Sequence, residues 1–122
     1  KWENYFTVLY PTVLDRIKIT SRKKLELMGV AEGKVLKNVD VEHYFEFDQI
    51  DGRTKFLTTP EITGFKIVEM PGLPDKSTGK YVLILRKKED PDFSWIERRI
   101  GSLFNLAQKN GGSYKGWSEI VK

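Results

Sequence analysis

From Val41 to Phe47 apolar and polar positions alternate, with Val41, His43, Phe45 and Phe47 on one side and Glu42, Tyr44 and Glu46 on the other. A period of two is the mark of a strand with one buried face. Gly64–Met70 and Lys80–Lys88 repeat the pattern, and the segment between them holds Pro71, Gly72, Pro74, Asp75 and Gly79, all turn formers. The two predict a long-looped hairpin. Its second strand is apolar on both faces, Tyr81, Leu83 and Leu85 alternating with Val82 and Ile84, as in strands covered on both sides. Ser113–Val121 predicts a last strand.

Helical spacing lies between these strands. Ile96, Ile100, Leu103, Phe104 and Ala107 recur at the helix period, with Gly111 and Gly112 as a stop and either Asp90 before Pro91 or Ser94 with Glu97 as the N-cap. The stretch from Asp51 to Thr63 is short and Thr-rich, but Phe56, Leu57 and Ile62 predict a brief, imperfect helix. Strand, helix, strand, strand, helix, strand is the order of the ferredoxin-like sandwich, an α+β fold with a four-stranded antiparallel sheet and both helices on one face.

Ahead of that unit, Trp2, Tyr5, Phe6 and Leu9 share a stripe until Pro11, and Val13, Leu14, Ile17, Leu25 and Met28 share another until Gly29. The chain therefore divides into a helical N-terminal extension, 1–37, packing on the sheet, and a sandwich domain, 38–122. The extension, or a partner, is expected to cover much of the sheet face that the two sandwich helices leave open.

Tyr114 and Trp117 break the alternation of the last strand, because residues three apart point to opposite faces. Either they serve two packing layers, or a bulge at Gly116 returns both to one. Both readings make the terminal motif a pin that holds the last strand to the sheet. An exposed Trp117 would instead be available to a partner.

Composition narrows the function. With 122 residues, 39% hydrophobic, the chain suits one core. It has no cysteine, which excludes disulfides, thiolate nucleophiles and Cys-based zinc sites and fits a reducing cytoplasm. No run nears the roughly 20 apolar residues of a membrane helix. The net charge is +4, yet residues 42–122 hold 13 Lys+Arg against 12 Asp+Glu, which disfavours a basic stripe for phosphates there. A start at Lys1 instead of Met reads as the interior of a longer protein.

Candidate chemistry is sparse. His43, the single histidine, stands among Val41, Phe45 and Phe47 with no carboxylate adjacent on its face, so it reads as a structural imidazole with one hydrogen bond. Glu89, Asp90 and Asp92 surround a helix start and read as capping charges. No serine sits in a nucleophile elbow, and no phosphate-cradling glycine loop is present; the glycine loop ending in arginine of the acylphosphatases, which share the sandwich, is missing too. RNA recognition motifs also share it and stack bases on sheet aromatics, but here only a Gly-Phe pair in Gly64–Met70 and Tyr81 match. The basic run Ser21–Lys24 reads as the solvated face of a helix. Neither a cofactor nor a metal is predicted.

The pieces around His43, the Gly64–Lys66 strand start, the Tyr81–Leu85 strand, Leu103–Gly112 and Ser113–Val121 resemble the bacterial regulator of ribonuclease E activity B family (RraB-like). In that family a first-strand His is followed by aromatics, and the chain ends in Gly-Gly-x-Tyr-Asp-Gly-Trp. The resemblance covers residues 41–122, carried by His43, Tyr44, Gly112, Tyr114, Gly116 and Trp117, with Lys115 standing where the family has Asp. The preceding part resembles a segment ahead of this domain in longer bacterial proteins with an N-terminal domain of unknown function. The resemblance implies a cytoplasmic, non-catalytic module that binds a protein partner, a ribonuclease, and modulates RNA decay, with His43, Tyr44, Tyr114, Lys115, Gly116 and Trp117 as candidate interaction residues. The alternatives are a single-stranded RNA binder and a hydrolase using His43.

Overall fold

The structure, a computed structural model, describes residues 13–120. Helix α1 spans Val13–Leu27 and a 3₁₀ turn follows at Val30–Glu32. Strand β1 is Val39–Phe47, α2 is Ile50–Leu57, a second 3₁₀ turn is Pro60–Ile62, β2 is Lys66–Glu69 and β3 is Tyr81–Glu89. Helix α3, residues 93–109, begins at Phe93–Trp95, widens to a π turn over Ile96–Ile100 and continues as Gly101–Lys109; β4 is Gly112–Glu119. The strands lie in the order β2-β3-β1-β4, every neighbouring pair antiparallel. The fold is thus the α+β, ferredoxin-like one that the hydrophobic pattern predicts.

One face of the sheet makes the core. Val41, Phe45 and Phe47 of β1 lie beside Leu83 and Leu85 of β3 and Tyr114 and Trp117 of β4. Phe56 of α2 meets both Phe45 and Phe47, with ring centroids 4.8 and 5.2 Å away. Trp95 of α3 meets Trp117 edge-on at 5.0 Å. Burial of these large rings is the main source of stability in a chain without disulfides.

The odd spacing in β4 resolves as a bulge. Tyr44 pairs with Gly116 and Phe45 with Tyr114, so Lys115 is the extra residue and Tyr114 and Trp117 return to the same, inner face. Gly116 has φ 124°, where a side chain would be strained. Two packing layers are therefore not needed to bury both rings.

Several details differ from the pattern. β2 is only four residues long, exposed at every position, and slips register between Ile67 and Glu69; short, irregular edges discourage pairing with other chains. The N-cap of α3 is neither Asp90 nor Ser94 but Asp92, whose carboxylate accepts the backbone N–H of Trp95 at 2.7 Å. Asp90 instead accepts the backbone N–H of Asn38 at 2.8 Å, and Glu97 pairs with Lys18 at 2.9 Å.

Helix α1 joins the helical layer at the β4 edge, so it does not provide the cover expected over the open sheet face. Leu25 is fully buried, the Trp117 indole N–H donates to Ser21 Oγ at 2.7 Å, and Arg22 lies 4.8 Å from the Phe93 ring. The stripe from Trp2 to Leu9 lies outside the described residues. On the opposite sheet face, cross-strand ion pairs join Glu42 to Arg86 at 2.5 Å, Asp40 to Lys88 at 3.3 Å and Glu46 to Lys115 at 3.6 Å. Among the described residues no helix is long and apolar enough to cross a membrane.

Candidate functional site

The inner face of the sheet holds one polar cluster, centred on His43. The alternation that places His43 inward in β1 does the same for Tyr81, Leu83, Leu85, Lys87 and Glu89 in β3, and the bulge does it for Tyr114 in β4. His43 Nε2 lies 2.7 Å from Glu89 Oε2 and Nδ1 lies 2.8 Å from the Tyr114 hydroxyl. The other carboxylate oxygen, Glu89 Oε1, accepts the Trp95 indole N–H at 2.9 Å and Arg99 Nε–H at 2.6 Å. The imidazole is fully buried and Glu89 nearly so.

Charge assignments follow from these surroundings. Burial lowers the pKa of His43 below its ordinary value and outweighs the pull of Glu89, while Arg99 and Lys87 lower it further, so the ring is neutral. Burial raises the pKa of Tyr114 well above the phenol range, which keeps its proton in place. Burial also opposes the charge on Glu89, but the hydrogen bonds from His43 and Trp95 and the positive charge of Arg99 hold its pKa below the ordinary carboxylate value. The consistent pattern is a Tyr114 hydroxyl donating to Nδ1 and an Nε2–H donating to an ionised Glu89. Among the described residues no buried side-chain polar atom lacks a hydrogen-bond partner.

This arrangement corrects two expectations drawn from the pattern. His43 makes two hydrogen bonds, not one, and it has a carboxylate partner on its own face. Glu89 is a core residue, not a capping charge at the start of α3. The signal was in the sequence, since continuing the inward phase of β3 from Leu85 by twos reaches Glu89, opposite Val39. Ser21 and Arg53 are further buried polar residues that pattern reading missed; Arg53 donates to the backbone oxygens of Pro71 and Val82 at 2.7 and 2.9 Å, tying α2 to the hairpin.

The six motif residues fall into two groups. His43, Tyr114 and Trp117 come together inside the core, with Trp117 only 4% exposed. Lys24 covers its ring at 4.2 Å and donates to its backbone oxygen. Tyr44, Lys115 and Gly116 lie at the opposite face and the bulge: the Tyr44 hydroxyl donates to Glu42 at 3.2 Å, and Lys115 is exposed with its ion pair to Glu46. With Val13, Ile17 and Trp117, these three line a groove of about 320 Å³ between α1 and β4. The acid-base groups of the cluster are shut away from solvent and spent on one another. Among the described residues no group of three or more His, Cys, Asp or Glu side chains could hold a metal.

The family profile described as regulator of ribonuclease activity B matches residues 22–118, from the second half of α1 almost to the end of β4. The chain belongs to the regulator of ribonuclease activity B family. A comparison with curated proteins finds no match. The RraB match takes in β1 to β3, nearly all of β4, α2, α3 and the His43–Glu89–Tyr114 cluster. RraB is a family of ribonuclease regulators, which implies a regulatory, non-catalytic role and a protein partner.

Geometry also bears on the two alternatives. An RNA recognition sheet presents stacking aromatics on its open face, whereas β1 presents Asp40, Glu42 and Glu46 there, each in an ion pair, with Tyr44 bonded to Glu42. A hydrolase base must reach a substrate, and His43 is enclosed by Phe65, Trp95 and Tyr114, all with ring centroids within about 6 Å.

Proposed function

We propose that this RraB-family chain binds a ribonuclease in the cytoplasm, with ribonuclease E the first candidate, and changes RNA decay through that contact instead of through chemistry of its own. The observation that carries the reading is the family match across 22–118, which includes every strand and both sandwich helices. The sealed His43 cluster supports it, since the groups best suited to proton transfer are committed to holding β1, β3, β4 and α3 together. In this reading Tyr114 and Trp117 act on a partner through the fold they stabilise, while Tyr44 and Lys115 stand at surfaces a partner can reach.

Capture from an extract of the native cell, with the folded chain as bait and mass spectrometry as readout, tests the proposal. Ribonuclease should be enriched over an unrelated bait matched in size and net charge. Recovery of no ribonuclease by a bait shown to be folded would sink the reading.

A further inference from the structure

Where β3 ends and α3 begins, a polar cleft of about 280 Å³ opens beside the buried cluster. Lys87, Lys88, Arg98 and Arg99 line it together with Glu89 and Asp90, four cations against two anions. Both anions are already engaged, Glu89 by His43, Trp95 and Arg99 and Asp90 by the Asn38 backbone N–H. Of the four cations, Lys88 is held by Asp40 at 3.3 Å on the opposite sheet face. Arg99 bonds Glu89 through Nε alone, and Lys87 and Arg98 form no ion pair among the described residues. Lys87 and Arg99 instead lie over the same ring, Phe65, at 5.1 and 5.3 Å from its centroid.

Three features make this more than a scatter of surface charge. Glu89, rooted in the core, fixes the Arg99 guanidinium from behind, so its outer nitrogens are oriented before a ligand arrives. Arg98 and Arg99 belong to the π turn of α3, a distortion frequent at functional sites. The cations also ring a concavity backed by apolar packing, where the field of a positive surplus is focused.

We propose that this cleft receives a carboxylate side chain from an acidic segment of a protein partner. Arg and Lys donors suit a carboxylate, the arginine fork especially. A polynucleotide fits the surroundings poorly. Lys87 and Arg98, the two lining cations outside an ion pair among the described residues, are few for a run of phosphates, and Phe65, 9% exposed beneath two cations, offers no base a platform. The inference rests on the protein-partner reading above and adds a surface and a chemistry to it.

The test uses the full chain and a fluorescein-labelled twelve-residue oligoglutamate at low salt, with a twelve-nucleotide oligouridylate in parallel. Binding is followed by anisotropy, and the Trp95 indole signal by two-dimensional NMR. A Lys87→Gln/Arg98→Gln chain should bind oligoglutamate at least tenfold more weakly. A Lys55→Gln/Lys109→Gln chain of equal net charge, altered at exposed sites away from the cleft, should stay within twofold. The Trp95 indole signal should move on saturation.

No oligoglutamate binding, equal losses in the two paired variants, or tighter binding of oligouridylate through Lys87 and Arg98 would each overturn the proposal. Ribonuclease capture separates the two levels. A Lys87→Gln/Arg98→Gln bait that recovers ribonuclease as well as the unaltered chain refutes the cleft as the contact and leaves the family role standing. Oligoglutamate bound at the cleft with no ribonuclease captured supports the chemistry of the cleft while removing that role.

Discussion

His43 is the chain's one histidine, so titration of a side chain between pH 5 and 7 can be followed at a single residue. Because burial lowers its pKa, the unfolded chain takes up a proton near pH 6.5 while the folded one resists. Its contribution to stability is therefore complete above about pH 6.5 and is lost as pH falls from there toward the folded value, by at most about 1.4 kcal/mol per pH unit. Glu89, also held below its ordinary value, adds a loss at lower pH, which begins where the unfolded chain's carboxylate takes up a proton and is complete once the folded one is protonated too. Urea unfolding should show a lower midpoint at pH 5.5 than at 7.5, and the His43 ring signal in NMR should keep its neutral position through pH 6.5. A ring that titrates at or above pH 6.5 contradicts the neutral assignment. Replacing Glu89 by Ala leaves the His43 and Trp95 donors without acceptors, which costs about 1–3 kcal/mol for each buried group left alone. Trp117→Ala removes a core ring and should cost about 3–5 kcal/mol in the same assay; a loss below about 1 kcal/mol would mean the ring is not packed as described.

At the scale of elements, β1, α1 and α3 were legible because each buries one periodic face, which local spacing records directly, and β3 because its apolar run follows a segment of turn formers. What was not legible depends on neighbours across the sheet. The sequence allowed a bulge at Gly116 or two layers, and only the pairing of Tyr44 with Gly116 and Phe45 with Tyr114 decides between them. Glu89 looked like a capping charge because it stands beside Asp90 and Pro91, whereas its partner His43 is 46 residues away. The π turn left no mark in the hydrophobic spacing, which still reads as a helix across Ile96–Ile100. Two glycines put this account to the test. At Gly116 an alanine would have room but not a favourable backbone conformation, so Gly116→Ala should cost about 1–3 kcal/mol, read from denaturant unfolding. At Gly52 the limit is space, since a Cβ would run into the carbonyl oxygen of Asn110 just after α3. Gly52→Ala should therefore shift α2, visible as altered NMR shifts at Asn110 and Phe56 and a lower melting temperature.

Over the whole molecule, polar chemistry is divided between an inside that is satisfied and an outside that is not uniformly so. The sheet face opposite the helices neutralises its charges across the strands, and Lys115 finds Glu46. The cleft at the β3–α3 junction retains a positive surplus. Such a molecule can recognise a partner by charge and shape without lending it a reactive group, which is the behaviour expected of an RraB-family regulator. The most direct measurement titrates the full chain into a purified ribonuclease E-type enzyme cleaving a defined RNA. The cleavage rate should change saturably with added chain, and the chain alone should leave the RNA intact. An unchanged rate at saturating concentrations of folded chain, or cleavage by the chain itself, would contradict the account.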